Sequence, residues 1–341
     1  MRRLSPYLWC LLALLAAALL SVGLGAVAIP PAQVARILLS RLPFVRLAAD
    51  WPQTSETILL SLRLPRAALI ALTGAALGGS GAAYQGLFRN PLADPYIIGV
   101  AAGAALGAVI ALALPGAGTL FGLATVPLAA FLGAAVTVMV VYNIARVGKT
   151  TPVTTLILAG VAVGSFATAL STFLTLRSSA ELRRAITWIL GGFAMSGWTP
   201  VLIALPYIAL GLGVLVALGR PLNVLQFGDD QARQLGLNVE RLKLVLVAAA
   251  SLVAATAVAF SGIIGFVGLA VPHVVRLLWG PDYRRLVPLS IIGGAAALLL
   301  ADLAARTVVA PAELPVGVIT ALVGAPFFLW LLRRAKQQAY W

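Results

Sequence analysis

Ten apolar runs, at about residues 7–29, 67–87, 96–114, 121–142, 155–174, 199–218, 243–260, 264–279, 286–304 and 315–332, take up most of the chain. Crossing a bilayer's hydrocarbon core takes roughly 20 helical residues, and inside it the backbone must satisfy its own hydrogen bonds. A chain with this many runs therefore folds as a set of spanning helices. The runs lack the roughly 10-residue alternating segments of a membrane barrel. Of the 341 residues 61% are hydrophobic and 10% charged, against about 25% charged in soluble domains, and mean hydropathy is +1.03. The sequence predicts an all-α polytopic membrane protein of about ten transmembrane helices, a single domain over residues 1–341.

Arg2 and Arg3, an apolar run and Ala26-Val27-Ala28 imitate a cleavable signal peptide. The run from Tyr7 to Ile29 has 23 residues, where a signal core has about 7–15, so it reads as a retained first span. The net charge of +14 invites a nucleic-acid reading. The basic residues are scattered at span ends, however, with no basic face, so they read as anchors and topology signals. With the N-terminus inside, Arg36, Arg41, Arg46, Arg63, Arg66, Arg177, Arg183, Arg184 and Arg306 fall outside. The other 15 of the 24 Lys and Arg, all three lysines included, fall inside. That bias predicts a multi-pass protein of the cytoplasmic (inner) membrane with both termini in the cytoplasm.

Between the second and third spans runs Arg89-Asn90-Pro91-Leu92-Ala93-Asp94-Pro95, a polar, proline-bracketed turn that needs water or a protein-lined pocket. The segment 30–61 on the outer side contains Pro31 to Leu39, with Val34, Ile37 and Leu38 on one face, the pattern of an interfacial helix. On the inner side, 220–243 contains Gly228-Asp229-Asp230-Gln231-Ala232-Arg233-Gln234-Leu235-Gly236. Aspartates suit a helix start and glycine its C-terminal cap, so a short surface helix is expected there. The stretch 185–198 is apolar but broken by glycines and reads as a partial or re-entrant element. Glycines four apart, Gly74/Gly78, Gly99/Gly103/Gly107 and Gly160/Gly164, read as helix-packing surfaces. The two halves are loosely alike, which suggests five-helix units of opposite topology.

The chemistry is sparse. Val147-Gly148-Lys149-Thr150 imitates the end of a phosphate-binding loop, but Asn143 stands where the leading glycine is required and no strand precedes it. Asp302 precedes Arg306 by four residues, which reads as an ion pair at a helix end. His273, the single histidine, and Cys10, the single cysteine, make neither a metal cluster nor a disulfide. No carboxylate pair or nucleophile–base set supports an enzyme. A transporter without a visible coupling or ATP site must take its energy from a partner. Arg63, Arg66 and Arg306 sit at outer span ends, as snorkelling anchors or as a positive rim for an outside protein.

The chain resembles the FecCD-type permeases of ABC importers for iron–siderophores, haem and cobalamin. The likeness rests on Arg63-Leu64-Pro65-Arg66, Ser80-Gly81, Gln85, the Arg89–Pro95 turn with Gly99, Leu158 to Ala162, and Gly191-Gly192-Phe193. It continues through Gly228 to Gly236, Gly265 to Leu269 with Pro272-His273, Leu300-Ala301-Asp302, and Glu313 to Gly317 through Gly324-Ala325-Pro326. It covers essentially everything after about residue 60. The resemblance implies a type II importer permease working as a homodimer, with two cytoplasmic ATPase subunits and an extracytoplasmic substrate-binding protein. It implies no cofactor on this chain, with ATP and Mg on the ATPase. By position, Arg63, Arg66 and Arg306 correspond to arginines that dock the binding protein. Gly228, Asp229, Asp230, Ala232, Arg233, Leu235 and Gly236 correspond to the helix that couples to the ATPase. Val153 and Thr154 correspond to the cytoplasmic gate, where Val153 departs from the small hydroxyl residues that family members can carry. Arg89, Asn90, Pro91, Asp94 and Pro95 form the family's turn.

The expected function is ATP-driven import of a metal chelate by alternating access, iron–siderophore first and haem or cobalamin next. Tyr84-Gln85-Gly86-Leu87-Phe88 leans toward the latter two. The competing reading is an ion-coupled secondary transporter acting without an ATPase. No nucleic-acid partner is expected.

Overall fold

The computed structural model describes residues 5–25, 29–41, 44–45, 50–113, 120–177, 182–193 and 197–338. In chain order they form α1 (Pro6–Gly23), α2 (Pro31–Leu39), α3 (Gln53–Thr57), α4 (Leu64–Phe88), α5 (Val100–Ala113), α6 (Leu120–Ala145), α7 (Val153–Arg177) and α8 (Leu182–Ile189). Then come α9 (Thr199–Ala217), α10 (Gly219–Leu225), α11 (Asp229–Gln234), α12 (Val239–Ser261), α13 (Val267–Trp279), α14 (Tyr283–Thr307) and α15 (Val316–Gln338). Among the described residues seven helices are long and apolar enough to cross a membrane, and the shorter apolar helices Val100–Ala113, Val267–Trp279 and Val316–Trp330 fall at the third, eighth and tenth expected runs. The ten expected spans are thus each matched by a helix. The glycine-broken stretch holds the short helix α8, and the helix expected from Pro31 to Leu39 is α2, with Val34 and Ile37 buried.

Three boundaries differ from expectation. The first span stops at Gly23, with residues 26–28 outside the described part. The third begins at Val100, after a run of turns over 95–98. The second begins far earlier than residue 67: helical backbone runs from Gln53 through a π-helical turn, Ile58–Arg63, into α4. Pro65 explains the widened turn. Leu64 N–H donates to Leu59 O, five residues back, so the next carbonyl, Leu60 O, would await a donor from Pro65, which has none. The Trp198 indole N–H fills that place at 3.1 Å.

The halves pack as an inverted repeat. α4 lies on α14 as α12 lies on α6. α5 packs on α6 and α7 as α13 packs on α14 and α15. α4 meets α13 as α12 meets α5, and α4 and α12 cross at the centre. Each of these relations recurs five spans later, as a repeat of opposite topology requires.

Small residues set the closest crossing. A side chain at Gly74 would place its Cβ 2.2 Å from Gly294 O, and one at Gly78 the same distance from Ser290 O. α4 and α14 therefore approach at backbone distance. The backbone breaks at 89–99 and 262–266 meet inside the protein, not in lipid. Tyr96 Oη donates to Ile264 O at 3.0 Å, and the Pro95 ring occupies the space beside Gly268, where a Cβ would lie 2.6 Å from Pro95 Cγ.

Candidate functional site at the two ends of the bundle

One end gathers the three arginines. Asp302, on α14, is fully buried and accepts from Arg66 Nη2 at 2.9 Å and Nε at 3.2 Å. Its other oxygen accepts from Arg306 Nε at 2.8 Å, the pairing that the four-residue spacing predicts. Arg66 Nη1 also reaches Glu313, ahead of α15, at 2.9 Å. Arg306 Nη2 donates to Ser21 O at 3.0 Å and Arg63 Nη1 to Val22 O at 3.0 Å. Both therefore satisfy carbonyls that the C-terminus of α1 leaves open. Arg66 and Arg306 meet the two carboxylates, while Arg63 lies on the carbonyls of Val22 and Gly23. The sequence indicated Asp302–Arg306 but not that Arg66 shares the same carboxylate, or that Glu313 joins it.

The opposite end gathers the Gly228–Gly236 segment and the start of α7, with Val153 and Thr154. Asp229 and Asp230 open α11 and Arg233 lies in its last turn. Gly228, with φ 108°, enters the helix, and Gly236, with φ 86°, leaves it. Leu237 N–H donates to Ala232 O and Gly236 N–H to Arg233 O, the paired closure that glycine's left-handed freedom permits. Ala232 is buried, whereas Leu235 and the neighbouring Phe227 are two-thirds exposed. α10 precedes α11 and is absent from the sequence reading. Its Asn223 donates to Asp282 Oδ1 at 2.6 Å and accepts Tyr283 N–H at 2.9 Å. That bond and the Arg284 N–H hold the Asp282 carboxyl below its ordinary range, so this cap on α14 is lost only as pH falls through the lowered value.

The turn after α4 belongs to this end. Arg89 takes a left-handed backbone, φ 51°, and its guanidinium lies 3.7 Å from Asp229 Oδ1. Asn90 Oδ1 accepts Leu92 N–H and Asp94 Oδ1 accepts Tyr96 N–H, two Asx turns that stiffen the corner. Asn90 and Pro91 are exposed, and Pro95 is buried.

Val153 and Thr154 open α7, the first half-buried and the second exposed. The Val147–Thr150 turn joins α6 to α7, and its ends exchange hydrogen bonds in both directions. What ties this turn to α11 is a set of residues to which sequence reasoning gave no role. Lys243, with 3% of its side chain exposed, sits 2.5 Å from Asp229 Oδ2 and donates to Thr151 O at 3.0 Å. Glu240 accepts Thr151 N–H at 2.8 Å and Arg233 Nη2 at 3.0 Å. A buried ammonium is tolerated only when paired in this manner. A cavity of about 500 Å³ opens beside the cluster, between Arg89, Phe227, Asp230 and Pro152.

Down α7, the residues Thr154, Leu158, Val161, Ser165, Thr168 and Thr172 recur at helical spacing, and all are exposed. Four hydroxyls along one uncovered face suit water or a partner better than lipid tails.

The FecCD transport family matches residues 13–334. The cobalamin import system permease protein BtuC of Halobacterium salinarum is 49% identical over 84% of this chain and 76% of its own length. The hemin transport system permease protein HmuU of Yersinia pestis is 41% identical over 82% of this chain and 84% of its own. Among solved structures, a chain described as an inward-facing conformation of a metal-chelate type ABC transporter superposes with a TM-score of 0.80. It is 30% identical and covers 96% of this chain and 98% of its own.

Proposed function

The chain belongs to the FecCD transport family, and from that premise we propose that it carries a metal chelate inward across the cytoplasmic membrane. It acts as one copy of a homodimer, with both termini in the cytoplasm. Two separate ATPase subunits bind ATP and Mg and supply the energy, and an extracytoplasmic substrate-binding protein delivers the cargo. The observation that carries this reading is the geometry around α7. A spanning helix with an uncovered, hydroxyl-bearing face is tied just ahead of its first turn, through Thr151, to a short surface helix at the bundle's end. Such a face can line a pathway, and such a helix can receive a push.

In this scheme α11, with exposed Phe227 and Leu235 on either side, seats on the ATPase. ATP binding draws the two ATPase subunits together and moves α11, and the α7 helices of the two copies open and close the passage at Val153 and Thr154. The cobalamin and hemin relatives move those two cargo classes ahead of iron–siderophore, with cobalamin first. Uptake of cyanocobalamin, haem and a ferric siderophore by the reconstituted complex tests this order. Saturable, ATP-driven uptake of cyanocobalamin alone is expected, and uptake of the siderophore alone would contradict it.

The arginine end faces the binding protein. Its three guanidinium groups suit acidic residues on that partner. Reversing Arg63 and Arg66 to glutamate should weaken docking by about tenfold or more at low salt, and by less at high salt. Titrating the binding protein against permease in nanodiscs reads this directly. Unchanged affinity at low salt would leave these arginines as anchors of α1 and α14.

A further inference from the structure

We infer that Glu240 and Lys243 are positioning residues that form a joint between α11 and α7, transmitting movement of the one to the other. The inference rests on the reading of α11 as the ATPase-facing helix and of α7 as the gate. Its basis is a convergence on one residue. Thr151 offers a backbone N–H and a backbone C=O: Glu240 takes the first at 2.8 Å and Lys243 the second at 3.0 Å. These two side chains lie three residues apart on the first turns of α12, on one face. Each also grips α11. Lys243 holds Asp229 at 2.5 Å and Glu240 holds Arg233 at 3.0 Å, and positions 229 and 233 are one helical turn apart. Two side chains thus bind both ends of a one-turn rod to a single residue, through the two peptide groups that flank it.

The connection onward is stiff. Only Pro152, with its fixed φ, separates Thr151 from α7, and Thr155 Oγ1 closes the corner by donating to Ala145 O and Pro152 O at 2.8 Å. Thr151 and Lys243 are buried, and a loosened pair would leave the Lys243 charge uncompensated. The adjoining cavity of about 500 Å³ leaves α11 and its neighbours room to shift. Asp229 Oδ1 accepts no hydrogen bond, with Arg89 3.7 Å away, so Asp229 has a second cation within a small displacement of its present one.

The test uses the full complex of permease, ATPase and binding protein, with Thr154→Cys as reporter in a Cys10→Ala background. The rate at which a water-soluble maleimide modifies position 154 is measured without nucleotide and with ATP plus vanadate. The parent is expected to show a difference of about fivefold or more. Lys243→Met and Glu240→Ala should each reduce that difference to less than about twofold while affinity for the ATPase subunit is retained. Glu240→Gln keeps the acceptor for Thr151 N–H and should preserve most of it. A full nucleotide-dependent difference in both Lys243→Met and Glu240→Ala would overturn the joint. So would a loss of ATPase affinity in step with the loss of response, which would make these residues part of the docking surface. No nucleotide dependence in the parent would overturn the gate reading as well. Phe227→Asp with Leu235→Asp checks the other premise by itself, since unchanged ATPase affinity there would remove α11 from the interface.

Discussion

Asp302→Ala is expected to destabilise the protein by about 3–5 kcal/mol, the usual cost of removing one partner from a buried, hydrogen-bonded ion pair. Asp302 is fully buried and accepts from Arg66 and Arg306 at once. Without it, two guanidinium groups face each other across an apolar crossing, and only one can turn toward an acid, because Arg66 alone reaches Glu313. Arg306 stays pinned under the C-terminus of α1, with 9% of its side chain exposed. The change therefore acts on α1, α4 and α14 together. Glu313→Gln is the matched control. Glu313 is half exposed, and a pair at such a rim contributes about 1 kcal/mol or less. Unfolding of both variants in the same detergent measures the contrast. If the two variants melt together, water reaches Asp302 and the cluster is not a buried one.

Replacing Asp229 and Asp230 by lysine should abolish stimulation of the ATPase, with coupled uptake falling by about tenfold or more. The substitution sets one new ammonium beside Lys243 and Arg89, where Asp229 Oδ2 now lies 2.5 Å from Lys243, and a second near Arg233. It also puts cations at the positive end of α11, where acids belong. The two positions should contribute unequally. Asp230 is 92% exposed, and among the described residues its ion pair is with Arg233, so Asp230→Asn should stay near wild type, and Asp229→Asn should carry most of the loss. Stimulation at the wild-type level in the double variant would remove α11 from the coupling path.

The spans were legible because lipid imposes a simple rule on length and polarity, and each apolar run corresponds to a helix. α11 was legible because its termini carry the residues that helix ends favour: Asp229 and Asp230 at the start, Gly236 after the end. The Asp302–Arg306 pair was legible because four residues is one helical turn. Long-range solutions to local problems were not. Gln53 to Thr57, Arg63 and Pro65 read as a polar span boundary, yet the helix passes through them, because the carbonyl that Pro65 cannot serve finds the indole of Trp198. The joint was hidden for the same reason. Glu240 and Lys243 meet Thr151 across 89 and 92 residues of sequence, and by itself Lys243 looks like any basic residue at an inner span end.

The central claim is that this chain supplies a passage and a mechanical input but no energy of its own. Proteoliposomes holding the permease alone, or with its ATPase and binding protein, test it by uptake of cyanocobalamin with and without ATP. Uptake should require ATP and both partners together, and should vanish when any one of them is omitted. Uptake by the permease alone under a proton or sodium gradient would contradict the account.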